Sequence, residues 1–176
     1  MLVASDRFAA LDDAVLAERL MSLRQAVRRD PIGAGGDRVN ALAAIGEVAF
    51  RALGLRPYAV QFMGALALHE GWLAEMATGE GKTLTAALAG VLASWSGAPV
   101  HLVTSNDYLA ARDAEEMSSL YRRCGVSVAA VVSTDKPEER VARYGADVVY
   151  LTAKELLADF LRDQLAARAG LDPERI

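Results

Sequence analysis

The spacing of apolar residues along the chain changes in character near residue 72. Before that point, apolar positions recur every three or four residues, which predicts amphipathic helices. Three helices are expected: from about Asp12 to Arg29, from Asp37 to a stop at Gly54, and from about Tyr58 to Glu70. Between the first two lies a run with one proline and three glycines, residues 30–37, which is expected to be a flexible link.

After residue 72, short apolar runs alternate with helical patterns. Four strands are predicted, at residues 72–76, 100–104, 126–132 and 146–151. Strands that alternate with helices at this spacing form a parallel sheet covered on both faces. The second part of the chain is therefore predicted to be an α/β domain.

Capping signals mark the starts of the helices between these strands. Ser105 or Asn106 is expected to open one helix, and Asp135 with Glu138 three positions later is expected to open the next, which has a proline in its first turn. The combination of Thr152 and Glu155 is typical of a capping box at the start of the last helix.

Composition and net charge indicate which classes of protein this sequence can belong to. Of the 176 residues, 53% are hydrophobic and 24% are charged, which is typical of one folded globular domain. The net charge of −4 argues against a general nucleic-acid binder, which usually has a basic face. A single cysteine, Cys124, fits a reducing compartment, and no apolar stretch is long enough to cross a bilayer. These features predict a soluble intracellular protein.

The strongest chemical signal is the sequence Thr-Gly-Glu-Gly-Lys-Thr at residues 78–83. Between a strand and a helix, such a loop binds phosphate through its backbone N–H groups, because glycines allow the phosphate to approach closely. The positively charged N-terminus of the following helix strengthens this binding. Lys82 is expected at the terminal phosphates, and the Thr83 hydroxyl is expected to bind Mg²⁺. The predicted nucleotide-binding residues in this loop are Thr78, Gly79, Glu80, Gly81, Lys82 and Thr83.

The loop departs from the strict phosphate-binding pattern G-x-x-x-x-G-K-[ST], because Met76 occupies the position of the first glycine. The structural alternative is a glycine-rich connection with an exposed lysine, but the context favours a nucleoside triphosphate site. Gln61 lies a short distance upstream, in the helix that leads to the predicted strand. Its amide has both a donor and an acceptor, as an adenine edge requires. Gln61 is therefore added to the predicted site.

Several segments together resemble the first nucleotide-binding domain of the SecA family, the motor ATPases of bacterial preprotein export. They are the segment around Gln61, Ala-Leu-His-Glu-Gly before the predicted first strand, the phosphate loop, Asn-Asp-Tyr-Leu-Ala-Ala-Arg-Asp-Ala-Glu at 106–115, and Asp-Phe-Leu-Arg-Asp at 159–163. The resemblance covers about residues 53–163. It implies a RecA-like fold that binds ATP and Mg²⁺, with Gln61 reading adenine and residues 79–83 holding the phosphates.

The family's partners are the Sec channel, unfolded preproteins and anionic membrane lipids, so the resemblance implies a cytoplasmic protein that lies at the inner face of the plasma membrane. The sequence also departs from the family pattern. Ala77 occupies a position where the family commonly has Arg or Lys, and Ala59 replaces the usual Asp. Further along, the family has an Asp–Glu pair on the strand after the segment that matches residues 159–163. No such pair appears before Ile176, so no catalytic residue is expected within these 176 residues.

The predicted fold is an α/β, RecA-like P-loop motor domain with a parallel sheet, preceded by an N-terminal helical segment. Residues 1–54 are assigned to the helical segment and residues 55–176 to a nucleotide-binding domain that is incomplete at its C-terminus. The favoured function is the N-terminal part of an ATP-driven protein translocase. Two alternatives remain open: a fragment of a helicase-like nucleic-acid motor, and a truncated, non-catalytic scaffold. The incomplete sheet is also expected to promote self-association.

Overall fold

The computed structural model describes residues 7–30 and 36–168. It divides into two compact units. The first comprises Met1–Ala98 with Ser119–Val126, and the second comprises Pro99–Ser118 with Ser127–Ile176. The boundary expected from the sequence, between residues 54 and 55, stays a prediction. Residues 31–35 of the expected flexible link lie outside the described part of the chain.

The first unit is built from helices. They are α1 (Asp13–Arg29), α2 (Gly36–Leu53), α3 (Ala59–His69) and α4 (Lys82–Ser94). The first three confirm the helices predicted from the sequence, and Asp12 caps α1 by accepting a hydrogen bond from the Val15 N–H. Helix α2 packs against the other three. Because all nine residues from 41 to 49 are buried, α2 is the central helix of this unit.

The second unit contains the sheet. Its elements are β1 (Val100–Thr104), the first part of α5 (Asp107–Arg123), β2 (Val128–Ala130), α6 (Pro137–Tyr144), β3 (Val148–Thr152) and α7 (Ala153–Arg168). The three strands are parallel, in the order β1-β3-β2, with Val148 opposite both Val100 and Val128. Strand β3 lies in the middle and is buried throughout. The predicted α/β class with a parallel sheet, preceded by a helical segment, is confirmed.

The strand predicted at residues 72–76 is wrong. This segment has no partner in the three-stranded sheet, and Trp72 and Leu73 are 68% and 96% exposed. A strand is stabilised by pairing with a neighbour, which an apolar run alone does not supply. Trp95, in contrast, is buried, and its indole N–H donates to the Cys124 carbonyl.

Two of the three predicted helix starts are confirmed. The Asn106 side chain accepts a hydrogen bond from the Leu109 N–H at the start of α5, and the Thr152 hydroxyl accepts one from the Glu155 N–H at the start of α7. Both side chains satisfy backbone donors that a helix leaves unpaired in its first turn. The second half of the capping box predicted for α7 is not formed, because the Glu155 carboxylate binds Arg140.

The predicted cap of α6 is displaced by one residue. Lys136, not Asp135, is the N-cap, and its N–H donates to the Glu139 carboxylate, not to Glu138. The Asp135 carboxylate instead accepts from the Val132 N–H at 2.8 Å. It therefore closes the turn before the helix and cannot act as the helix cap.

A buried ionic cluster joins α6 to α7. The Arg140 guanidinium lies 2.6 Å from Glu155 and 2.7 Å from Asp159, and all three side chains are buried. Asp159 also accepts from the Tyr144 hydroxyl at 3.0 Å and from Arg162 at 2.6 Å. Burial alone would raise the pKa of the Asp159 carboxyl, but the hydrogen bonds from Arg140, Tyr144 and Arg162 outweigh it and hold that pKa below its ordinary value.

This cluster predicts a large difference between two arginine substitutions. Arg140→Ala would leave two buried carboxylates without their shared cation and should cost about 3–5 kcal/mol of unfolding free energy. Arg162→Ala removes an arginine that also contacts Asp159 but is half exposed, and it should cost less than about 1 kcal/mol. Urea denaturation of both variants measures the difference. Equal losses of unfolding free energy would show that burial of the ion pairs of Arg140 does not determine the cost of breaking them.

Candidate nucleotide site

The predicted phosphate loop forms a tight turn that leads directly into α4. The Glu80 N–H donates to the Ala77 carbonyl at 3.3 Å, which closes the turn, and α4 begins at Lys82. Gly79 and Gly81 have φ values of 87° and 81°, a left-handed conformation that favours glycine. Gly81 is the N-cap of α4 and has no side chain to cap it, so the first-turn N–H groups of the helix remain available to an anion.

Two charged side chains of the loop contact the backbone of the same residue, Ala77. The Lys82 ammonium donates to the Ala77 carbonyl at 2.9 Å, and the Glu80 carboxylate accepts from the Ala77 N–H at 3.0 Å. Both side chains are exposed. Because an ammonium has three N–H donors, the contact with one carbonyl does not exhaust the capacity of Lys82 to bind an anion.

Gln61 connects α3 to the phosphate loop. Its side-chain oxygen accepts a hydrogen bond from the Tyr58 N–H, and its side-chain nitrogen donates to the Glu80 carbonyl, both at 2.9 Å. The residue is 5% exposed. The structure therefore brings Gln61 together with the loop, where its side chain supports the turn at Glu80.

The two glycines of the loop differ in their surroundings. A Cβ added to Gly81 would overlap the side-chain nitrogen of Gln61, whereas a Cβ added to Gly79 would meet no other part of the described chain within 4 Å. Gly81 thus permits the close approach of Gln61, and the open space beside Gly79 leaves one face of the turn accessible. Next to Gly81, the buried Thr85 donates its N–H and its hydroxyl to the Gly81 carbonyl, which fixes the first turn of α4.

The residues present fit a nucleotide phosphate and a magnesium ion. The loop has backbone N–H groups at a helix N-terminus and a lysine, which are groups that bind phosphate, and one of its faces is open to a ligand. Thr83 lies in the first turn of α4 and is partly exposed, so its hydroxyl is the side-chain ligand available for Mg²⁺. Among residues 7–30 and 36–168, no three His, Cys, Asp or Glu side chains form a group that could hold a metal by themselves. Magnesium would therefore depend on phosphate oxygens and water for its remaining ligands.

Sequence reasoning missed the buried carboxylate of Glu47 on α2. This side chain is 3% exposed, and its carboxylate lies close to the guanidinium groups of Arg51 and Arg56. Arg56 comes just before the segment that contains Gln61. A signal was available, because Glu47 is the one charged residue in the stretch 41–49, whose other residues are aliphatic or glycine. An acid within an apolar run of a helix is typical of a buried ion pair.

A cavity of about 670 Å³ lies in the second unit, at the carboxyl ends of β1 and β3. This is where parallel sheets commonly bind ligands. Three of its polar side chains, however, already have protein partners: Asp107 accepts from the Ser133 N–H, and Asn106 and Thr152 cap helices. Hydrogen bonds from the side chain and the N–H of Ser133 lower the pKa of the Asp107 carboxyl, which keeps it ionised and engaged. The cavity is therefore a weaker candidate than the phosphate loop.

Comparison with known proteins connects this site to a protein family. The family model described as the SecA DEAD-like domain matches residues 2–172. The chain is 54% identical over 160 residues to protein translocase subunit SecA 2 of Magnetococcus marinus, which covers 91% of this chain and 25% of that protein. It is 51% identical over 160 residues to SecA 2 of Chlorobium chlorochromatii, with 91% and 24% covered. It is 46% identical over 162 residues to protein translocase subunit SecA of Acidithiobacillus ferrooxidans, with 92% and 18% covered.

The chain thus spans a quarter or less of the length of these three relatives. In the part of the chain that the structure describes, no helix is long and apolar enough to span a membrane.

The unequal surroundings of Gly79 and Gly81 predict unequal effects of the same substitution. Gly79→Ala should lower the unfolding free energy by about 1–2 kcal/mol, because a residue with a Cβ is strained in the left-handed conformation. Gly81→Ala should cost more than that, because the new methyl group would also displace Gln61. Thermal or urea unfolding of the two variants measures the difference, and a Gly81→Ala variant as stable as Gly79→Ala would contradict the close contact with Gln61.

Proposed function

Because the chain belongs to the SecA DEAD-like domain family, we propose that it is the nucleotide-binding part of a SecA-like, ATP-driven protein translocase. The observation that supports this most directly is the arrangement of Gln61, Glu80 and Lys82 around one turn at the start of α4. An amide with donor and acceptor groups, a glycine turn and a lysine within one loop system are groups that a nucleoside triphosphate can contact through its base and its phosphates.

Each site residue has a proposed role. The N–H groups of residues 78–81, with those of the first turn of α4, hold the phosphates, and the Lys82 ammonium neutralises their charge. The Thr83 hydroxyl holds Mg²⁺, which when bound supplies positive charge to the phosphate oxygens. Gln61 reads the adenine edge with the donor and acceptor capacity that its two protein contacts leave over, since an amide offers two N–H groups and two lone pairs.

Phosphate binding gives Lys82 a second and stronger partner. Its contact with the Ala77 carbonyl is a hydrogen bond between an ion and a neutral group on an exposed loop, and it uses one of the three N–H donors of the ammonium. A phosphate offers a full negative charge to the same ammonium, so it attracts the ammonium more strongly than a neutral carbonyl does. Phosphate binding by Lys82 is therefore favourable, and the present contact orients the side chain across the loop before the nucleotide arrives.

The partners and location follow from the family. We propose that the translocase acts with the Sec channel on unfolded preproteins, and that it is cytoplasmic and binds the anionic inner face of the plasma membrane. Nucleic acid is not a proposed partner, because the net charge of −4 does not suit a polyanion. Self-association through an edge of the sheet also remains a proposal.

For the 176 residues taken alone, we propose nucleotide binding without turnover. Family resemblance assigns the water-orienting Asp–Glu pair to a strand that follows the segment matching residues 159–163, and this sequence contains no such pair there. A positioned acid is needed to orient the attacking water. The loop residues therefore bind and orient the nucleotide but do not complete a hydrolytic site.

Isothermal titration with ATP and Mg²⁺ tests this proposal. The 176-residue chain should give saturable heat, and Lys82→Ala should weaken binding at least about tenfold, because it removes a charge-assisted bond to phosphate. Lys154→Ala, an exposed lysine of the second unit, is the matched control and should leave binding unchanged. The proposal fails if the chain does not bind ATP, or if binding is the same in Lys82→Ala. Steady-state turnover that depends on Lys82 would contradict the absence of a hydrolytic site.

A further inference from the structure

We propose that Glu47 is a positioning residue that holds Gln61 against the phosphate loop, acting through Arg56. Its predicted effect on nucleotide affinity rests on the proposed function, whereas its effect on the position of Gln61 does not. Nothing in the predicted site included Glu47, which lies on α2, outside the loop and outside α3.

The first step concerns the charge of Glu47. A carboxylate that is 3% exposed must be compensated by nearby cations or donors. One oxygen accepts a hydrogen bond from the Arg51 Nε at 2.8 Å. The other, Oε2, is buried and has no hydrogen-bond partner among the residues that the structure describes, and the Arg56 guanidinium lies 3.7 Å from it. Glu47 therefore attracts Arg56 with its second oxygen.

The second step concerns the place of Arg56. Its guanidinium also stacks on the Phe50 ring, 3.9 Å from the ring centre. Glu47 and Phe50 are three residues apart on α2, so they lie on the same face of the helix. Although the Arg56 side chain is half exposed, two contacts with neighbouring positions of α2 hold it in one place.

The third step connects Arg56 to Gln61. Arg56 is followed by a buried proline, Pro57, which restricts the backbone of both residues. The next residue, Tyr58, donates its N–H to the Gln61 side chain, and that side chain donates in turn to Glu80. Because the link between Arg56 and Tyr58 is stiff, the position of Arg56 sets where Gln61 meets the loop.

A separate observation shows that α2 and α3 are closely fitted next to Glu47. A Cβ added to Gly46 would overlap the ring of Phe62, which is buried and directly follows Gln61. Glycine at position 46 thus permits α3 to approach α2 beside the ion pair. Packing and charge fix the same end of α3, which leaves Gln61 little freedom to move away from Glu80.

The substitution Glu47→Gln tests the role of the charge. The neutral side chain would keep an oxygen for Arg51 but would no longer attract Arg56, so the segment before Gln61 should loosen. The direct measurement is hydrogen exchange of the Tyr58 amide by NMR, because that N–H is bonded to the Gln61 side chain. In the nucleotide-free protein we expect exchange of this amide to become roughly tenfold faster.

Nucleotide affinity gives the second measurement. Glu47→Gln should weaken ATP binding by roughly tenfold and GTP binding less, because the misplaced group supports the loop for both nucleotides but reads the base only of ATP. Arg56→Gln should have the same effect, and the double variant should show no further loss. Arg56 is half exposed, so this variant serves if Glu47→Gln does not fold.

The matched control is Glu155→Gln. Glu155 is also a buried carboxylate bound to an arginine, at 2.6 Å from Arg140, but it belongs to the second unit. The Glu155→Gln substitution should lower the unfolding free energy without changing hydrogen exchange of the Tyr58 amide or the ratio of ATP to GTP affinity. Equal effects of Glu47→Gln and Glu155→Gln on these two readouts would reduce Glu47 to a stabilising residue and overturn the proposal.

The two proposals fail separately. If the wild-type chain does not bind ATP, the proposed function fails, and the exchange of the Tyr58 amide still decides whether Glu47 positions Gln61. If ATP binds and depends on Lys82 but Glu47→Gln leaves both Tyr58 exchange and base preference unchanged, the positioning role of Glu47 is overturned and the function stands.

Discussion

The side chain of Gln61 is the contact on which the site depends. One amide joins the start of α3, through the Tyr58 N–H, to the phosphate loop, through the Glu80 carbonyl. The loop itself is short, rich in glycine and exposed, and the hydrogen bonds that Glu80 and Lys82 make to Ala77 close the loop on itself without fixing it to α3. A buried amide with both hydrogen bonds made is costly to displace, because each group would lose its partner in a poorly solvated place. The fixed end of α3 thus gives a flexible sequence a defined shape.

Both units use buried charges to fix the position of a helix. In the first unit, Glu47 and its arginines hold the segment that enters α3. In the second, Arg140 binds carboxylates on α7. Buried ion pairs add little net stability, but breaking one is expensive, so they favour one arrangement over its alternatives. The first of these clusters lies next to the segment that enters the candidate nucleotide site.

Periodicity and loop chemistry predicted most of the fold. Helices α1 to α3 and the three strands of the sheet appear where apolar spacing and glycine stops place them, because these signals act over a few residues. The prediction of a strand at residues 72–76 was wrong, because a strand forms only where it can pair with a partner that is far away in the sequence. The cap of α6 was wrong by one residue because Asp135 with Glu138 and Lys136 with Glu139 have the same spacing, and the contact between Asp135 and Val132 decides between them.

In the candidate site, the glycines and the lysine were evident in the sequence, but the contact of Gln61 with Glu80 spans 19 residues. The role of Glu47 was likewise hidden, since it depends on how α2 meets the segment that follows it.

The most direct test of this account is the NMR signal of the Gln61 side-chain amide during titration with ATP and Mg²⁺. The account predicts that this signal is protected from solvent before nucleotide is added, and that it shifts saturably together with the backbone amides of Gly79 and Gly81. A Gln61 amide that exchanges freely in the nucleotide-free protein, or that stays unchanged while the loop amides shift, would show that Gln61 neither supports the loop nor reads the base.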